Sequence, residues 1–256
     1  MLELYYEVLY RPLFNALVFL YQTLGHDLGI AIIVLTIFIK ILLFYPSLVQ
    51  LNTQRNLQQT QPKLKELQEK HKGNKEEYNR AVLQFYRENK VNPAASCLPI
   101  VLQFIVLIAL YNVFIGGVVT DPTTRLLGAD QLKNLYEPLR NIFSITPFNT
   151  YFFGFIDLSH AKNIPLAILS AFASYWQASM LTKMQPPKAA GSGAKDESLT
   201  ASLNKSMTYS LPLITLFIGY TLPAGLPLYW LVSTLFQVGQ QYYFLRRHAP
   251  SPTPPA

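Results

Sequence analysis

The chain has 256 residues, of which half are hydrophobic and only 14% charged, and its mean hydropathy is positive. Its net charge of +7 comes from basic residues placed between apolar blocks with no aromatic–basic recognition pattern, which argues against nucleic acid as a direct partner. A single cysteine, Cys97, excludes a disulfide framework and a cysteine-based metal site, so no cofactor is expected.

The first segment, residues 1–28, is amphipathic. Leu13, Leu17, Leu20 and Leu24 recur at helical spacing among Tyr5, Tyr6, Tyr10 and Tyr21. Tyrosine favours the headgroup zone, so the segment is expected to lie along a membrane surface, or equally to pack on a helical bundle as an ordinary helix. Residues 30–43 hold two polar side chains, Thr36 and Lys40, and residues 98–119 hold only Gln103 and Asn112. Runs of this kind approach or exceed the ~18–20 residues that cross a ~30 Å hydrocarbon layer. A first transmembrane span is therefore placed at 29–48. No small-residue cleavage site follows it, so it is expected to be retained.

Residues 49–92 change character, with nine Lys/Arg and five Glu. The stretch His71-Lys72-Gly73-Asn74 divides them into two helices whose weak apolar seam sets Leu57, Leu64 and Leu67 against Tyr78, Val82 and Phe85. The pattern predicts a charged helical hairpin standing off the membrane, ended by Asn92-Pro93. A second span follows at 96–119, then an external loop at 120–163 with an interfacial aromatic turn at Phe152-Phe153-Gly154-Phe155. The third span is placed at 164–184. A linker at 185–206 is marked by Pro186-Pro187 and Gly191-Ser192-Gly193. The fourth span is 207–222. Pro223-Ala224-Gly225 turns the chain into a fifth at 226–245, and residues 246–256 form a tail.

In this five-span arrangement the hairpin, linker and tail carry fourteen Lys/Arg, against five on the other side. The positive-inside rule puts the hairpin and C-terminus in the cytoplasm and the N-terminus outside. The fold class is thus an all-α polytopic membrane protein forming one domain.

A charged side chain at bilayer depth costs at least ~2.5–3.5 kcal/mol, so Lys40 needs a reason. Alone it could snorkel to the cytoplasmic interface. Thr36, however, lies one turn above it on the same helix face, and Gln103 comes early in the second span. In the third span Ser170, Ser174 and Gln177 share one face, and in the fifth Ser233, Thr234, Gln237, Gln240 and Gln241 continue below Trp230. One such residue usually means a helix–helix hydrogen bond. Four spans with polar groups at similar depth, plus a lysine, are read as a hydrophilic, cationic groove open to the cytoplasm. Such a groove lowers the barrier for the polar tail of a client protein. The membrane potential favours outward transfer of its negative charge by ~2.3 kcal/mol per charge per 100 mV. No phosphate-binding loop and no cluster of His or carboxylates suggests an enzyme.

Residues 36–43 with Pro46 and the hairpin, and Tyr86 to Pro93, then Cys97-Leu98-Pro99 and Gln103, resemble the first conserved span, and the hairpin exit and second span, of the YidC/Oxa/Alb family of membrane protein insertases. Phe153 to Leu158 is similar to its external loop motif, and Leu222 to Trp230 to the entry of its last span. The likeness is to the short bacterial form without a large external domain. It implies five transmembrane helices around a cytoplasm-open groove, with Lys40 as groove cation and Gln103 and Trp230 as further groove positions. It also implies a cell inner membrane location, client membrane proteins and lipid as partners, and cooperation with the Sec translocon, ribosomes and a signal-recognition pathway. Bacterial members usually carry arginine where this chain has Lys40, and lysine lacks arginine's planar fork. Two rival readings are a small-solute transporter or channel, which predicts repeat symmetry that the sequence does not display, and an assembly subunit of a membrane complex.

Overall fold

The computed structural model describes residues 2–71, 73–89, 98–114, 121, 123–183 and 195–247. Asn92-Pro93, Cys97, the end of the second expected span, Pro186-Pro187, Gly191-Ser192-Gly193 and the end of the tail lie outside the described residues.

The chain opens with α1 (Leu2–Tyr5), a π-helical turn (Tyr6–Tyr10) and α2 (Arg11–Thr23), which follow one another without a break. Pro12 explains the widened turn. In a regular α-helix its ring would clash with the carbonyl four residues back, whereas here Arg11 N–H reaches back five residues to the Tyr6 carbonyl. After a turn at Gly25 and His26, Asp27 caps α3 (Leu28–Leu42), its Oδ1 accepting from Ile30 N–H at 3.0 Å.

The sequence predicts one helix through residue 48. Instead α3 stops at Leu42 and α4 (Phe44–Lys70) sets off after a 61° bend. Pro46 again supplies the reason: the break puts it in the first turn of α4, where its missing N–H costs nothing. Among the described residues no single helix is long and apolar enough to cross a membrane, but α3 and Phe44–Thr53 reach that standard together across the bend.

α4 reverses at His71–Asn74 into α5 (Lys75–Glu88), which packs back on it. Gly73 takes a φ of +99°, and Asn74 caps α5 by accepting from Glu77 N–H. Leu64, Leu67, Tyr78, Val82 and Phe85 are half-buried along this hairpin; the Leu57 side chain is outside the described residues. α6 (Leu98–Asn112) follows, then two short helices, α7 (Ala129–Asn134) and α8 (Glu137–Phe143). The expected aromatic turn is the tip of a two-stranded antiparallel hairpin, β1 (Tyr151–Phe152) and β2 (Ile156–Asp157), so the helical fold carries one small element of sheet. α9 (Ile164–Lys183), α10 (Lys195–Thr221) and α11 (Gly225–Arg247) complete it. α10 begins inside the stretch that composition assigns to a linker, because residues 195–206 contain neither Gly nor Pro.

α11 is the hub. It packs against α3 and α9 and also touches α4, α6 and α10, while α10 lies mainly on α9. Gly225 permits a close approach to the turn after α6, since a Cβ there would overlap the Phe114 ring at 2.3 Å. The outward surface is apolar: Val34, Ile37, Phe38 and Ile41 on α3, Phe172 and Trp176 on α9, and Leu213 and Phe217 on α10 are exposed. An apolar surface of this extent suits lipid rather than water.

One end of the bundle is tied down by residues 121–163. Asn15 of α2 donates to the Asn134 carbonyl and accepts from Tyr136 N–H, at 2.8 and 2.7 Å. The Tyr21 hydroxyl accepts from Asn149 N–H, and its ring stacks on Phe148 with centroids 4.2 Å apart. The carbonyls of Leu158 and His160 accept from Gly225 and Ala224 N–H at the start of α11. Asp157 organises this stretch, accepting from Thr150 Oγ1 and from both Ser159 N–H and Oγ, and lying 2.9 Å from His160 Nδ1. Burial by itself would raise the Asp157 pKa, but these hydrogen bonds and the neighbouring His160 outweigh it and hold it below the ordinary 3.8. A depressed folded-state pKa means that the network stabilises the fold above pH 3.8 and is lost as pH falls through the lower, folded value. Asp157→Asn is therefore expected to lower the melting temperature at neutral pH by a few degrees and to flatten its decline in acid. Thermal unfolding of the two proteins in the same detergent across pH 2.5–7 checks this.

Candidate groove at the centre of the bundle

The candidate site follows the inner faces of α3, α9 and α11. None of these helices, nor α6, contains an acidic residue, so their polar seam is neutral apart from its lysine. Lys40 stands in the last turn of α3 with 7% of its surface exposed. That end of a helix presents unpaired carbonyls and partial negative charge, which favours a cation there.

Thr36 is buried one turn earlier, and its Oγ1 donates to the Ile32 carbonyl at 2.6 Å. Its hydroxyl hydrogen is thus taken by its own helix. Ser170 behaves in the same way, donating to the Ala167 carbonyl at 2.9 Å. It also lies beside Gly219 of α10, where an added Cβ would stand 3.4 Å from both Ser170 Oγ and Ala167 Cα. Ser170 therefore belongs to a small-residue contact that lets α9 and α10 approach closely. Ser174 is buried one turn further on.

The seam is joined at Gln177 and Gln237, whose side-chain amides hydrogen-bond between α9 and α11. On α11, Ser233 and Thr234 are buried and Trp230 is half-buried, so the residues named from sequence run continuously down this helix. The Gln103 side chain, on α6, lies outside the described residues.

One residue extends the seam beyond the sequence-derived set, and two within that set stand out. Ser47, in the first turn of α4, donates its hydroxyl to Gln240 Oε1 at 3.1 Å, so the bend after α3 brings a polar residue against α11. The signal for it was Pro46, which breaks the helix and turns Ser47 inward. In addition, Gln240 Nε2 and Gln241 Oε1 are buried with no hydrogen-bond partner among the described residues. Such amide groups are costly to bury in an apolar medium and normally sit where water or another polar group reaches them. The polar seam thus follows α11 from Ser233 past Gln237, joined to Gln177, to Gln240, joined to Ser47, and Gln241, with Lys40 buried on the facing helix α3.

An apolar exterior around a polar, cationic seam is the architecture of a helical membrane protein that handles something polar at its centre. The model of the 60 kDa inner membrane protein family matches residues 19–251, and the chain belongs to that family, which comprises the YidC/Oxa proteins. Relatives named membrane protein insertase YidC include one from Lawsonia intracellularis, 31% identical over 94% of this chain and 39% of its own length. One from Fusobacterium nucleatum is 30% identical over 94% of this chain and 98% of its own length, and one from Pelobacter propionicus is 28% identical over 93% and 39%. The chain therefore spans about two fifths of the longer relatives and nearly the whole of the shorter one. It is a bacterial-type membrane protein of this family.

The Gln177–Gln237 pair generates a prediction. Replacing either residue by Leu leaves the other amide without its partner and should cost ~0.6–1.7 kcal/mol in a bilayer. The double replacement should cost less than the sum of the two. Reversible unfolding measured in bicelles for the four proteins of this cycle checks the coupling.

Proposed function

We propose that the chain is a membrane protein insertase: it admits the polar tail of a client membrane protein into a groove lined by α3, α9 and α11, while the client's apolar segment enters lipid. The observation that carries this reading is Lys40, buried on α3, which packs against α11 and its seam of serine and glutamine side chains. A cation there attracts an acidic tail, and the amide and hydroxyl groups replace part of the water that the tail gives up. Thr36, Gln103, Ser174, Trp230, Ser233 and Gln237 are assigned to the groove wall, with Ser170 at its boundary to α10. The names of the relatives support the activity.

In this proposal five spans surround the groove. The first is the bent pair α3 and the start of α4, and the others are α6, α9, α10 and α11, continued where needed into neighbouring residues. The α4–α5 hairpin and the C-terminus lie in the cytoplasm and the N-terminus outside, as the distribution of Lys and Arg requires. α1 and α2 lie at the outer interface. The hairpin receives clients, and the Sec translocon, ribosomes and a signal-recognition pathway are proposed as cooperating partners. The client's own partitioning and the membrane potential drive the step, so the mechanism calls on no cofactor.

The test uses purified protein in liposomes and a single-span client with a short acidic N-terminal tail, scored by protection of the tail from protease. Lys40→Ala is expected to reduce insertion several-fold and Lys40→Arg to retain it. Equal insertion by all three proteins would remove Lys40 from the mechanism. Failure of the wild type to exceed empty liposomes would favour an assembly subunit.

A further inference from the structure

The tip of the β1–β2 hairpin has no role in the groove. Residues 141–156 contain no charged side chain, although the loop on either side carries Arg140, Asp157, His160 and Lys162. Within this uncharged run Ile145, Phe153 and Phe155 are 78%, 63% and 72% exposed. Three rings at the tip lie nearly parallel in sequence: Phe152 against Phe153 with centroids 4.3 Å apart, and Phe153 against Phe155 at 6.5 Å.

The tip is held rigidly and at an awkward backbone angle. Phe153 has a φ of +49°, a region that glycine or asparagine occupies readily and phenylalanine does not, and Gly154 follows at +78°. A bulky ring kept at a strained, exposed position points to a use for the ring. The level of the tip is also fixed. Phe153 N–H donates to Asp27 Oδ2 at 2.7 Å, while the other oxygen of the same carboxylate caps α3. Phe152 sits on Gly29, where a Cβ would lie 2.1 Å from its ring. The exposed rings are thus level with the first turn of α3, where the apolar run begins, about two turns before its exposed flank opens at Val34.

We infer that Phe153 and Phe155 form a membrane anchor, inserted at the boundary between headgroups and acyl chains of the leaflet that faces the external loop. The occupant is lipid: the run around the rings carries no charged side chain, the nearby Asp27 and Asp157 carboxylates are engaged within the fold, and the tip lies at the start of the apolar helix α3. Apolar side chains at this depth gain burial while the polar backbone of the turn stays at the headgroups. Clamped through Asp27 and Gly29, the anchor fixes how deep α3, and with it Lys40, sits. This anchoring does not depend on the insertase reading.

The test uses the full chain with Cys97→Ser and a single reporter cysteine, Phe155→Cys, labelled with an environment-sensitive NBD fluorophore. The labelled protein is placed in phosphatidylcholine/phosphatidylglycerol vesicles. Lys133→Cys, on a side chain 76% exposed on α7, serves as the water-facing control. The label at 155 is expected to emit at shorter wavelength than the control and to resist iodide. Lipids with a nitroxide near the glycerol should quench it more strongly than lipids with a nitroxide near the chain end. Emission and iodide quenching equal to the control would overturn the anchor. So would a blue-shifted label insensitive to both nitroxide lipids, which would mean that protein, including a second copy of this chain, covers the tip.

Discussion

A lysine on a helix of otherwise apolar residues imposes a condition on everything packed against it. Lys40 is buried in the last turn of α3, and the neighbouring helices contribute no acid from α6, α9 or α11 to neutralise it. What they contribute is a run of neutral polar groups along α11, joined to α9 through Gln177 and to α4 through Ser47. A cation in surroundings of low dielectric acts strongly on an anion that comes near it. The apolar outer faces of α3, α9 and α10 follow from the same division of labour, with polar groups inside and hydrocarbon-compatible ones outside.

The two ends of the bundle are built differently. At the end capped by the loop before α9, Asn15, Tyr21 and Asp27 each bind backbone groups from distant parts of the chain, Asp157 ties the loop to itself, and the aromatic cluster of Tyr21, Phe143 and Phe148 packs among them. At the other end, α4 leaves the bundle after its first turns, which touch α3, α6 and α11, and α5 packs back along it. One end of the bundle is thus capped, and an arm extends from the other.

Much of this arrangement was readable from sequence because it rests on local rules. The helical segments follow hydrophobic runs, the hairpin break follows His71–Asn74, and the start of α11 follows Pro223 and Gly225. Lys40, Thr36 and the α11 polar residues were identifiable because a polar side chain in an apolar run is conspicuous. Features that depend on contacts between distant segments were not. Nothing local distinguishes Ser170, which packs on Gly219, from Ser174 one turn away. The bend after Leu42 and the π-helical turn were available in principle from Pro46 and Pro12, but a proline signals a break without giving its angle. The clamp of Asp27 on Phe153 joins residues 126 apart, beyond any periodicity.

The bend has a geometric consequence. α4 contains 27 residues and so extends ~40 Å from a pivot only three residues beyond Lys40. A rotation of ~10° about that pivot carries the far end of the arm through ~7 Å, yet shifts the lysine's own turn by only a fraction of that. The hairpin is in effect a lever, and Ser47, in its short arm, is bonded to Gln240 of α11, so a swing of the hairpin is felt first in the polar seam.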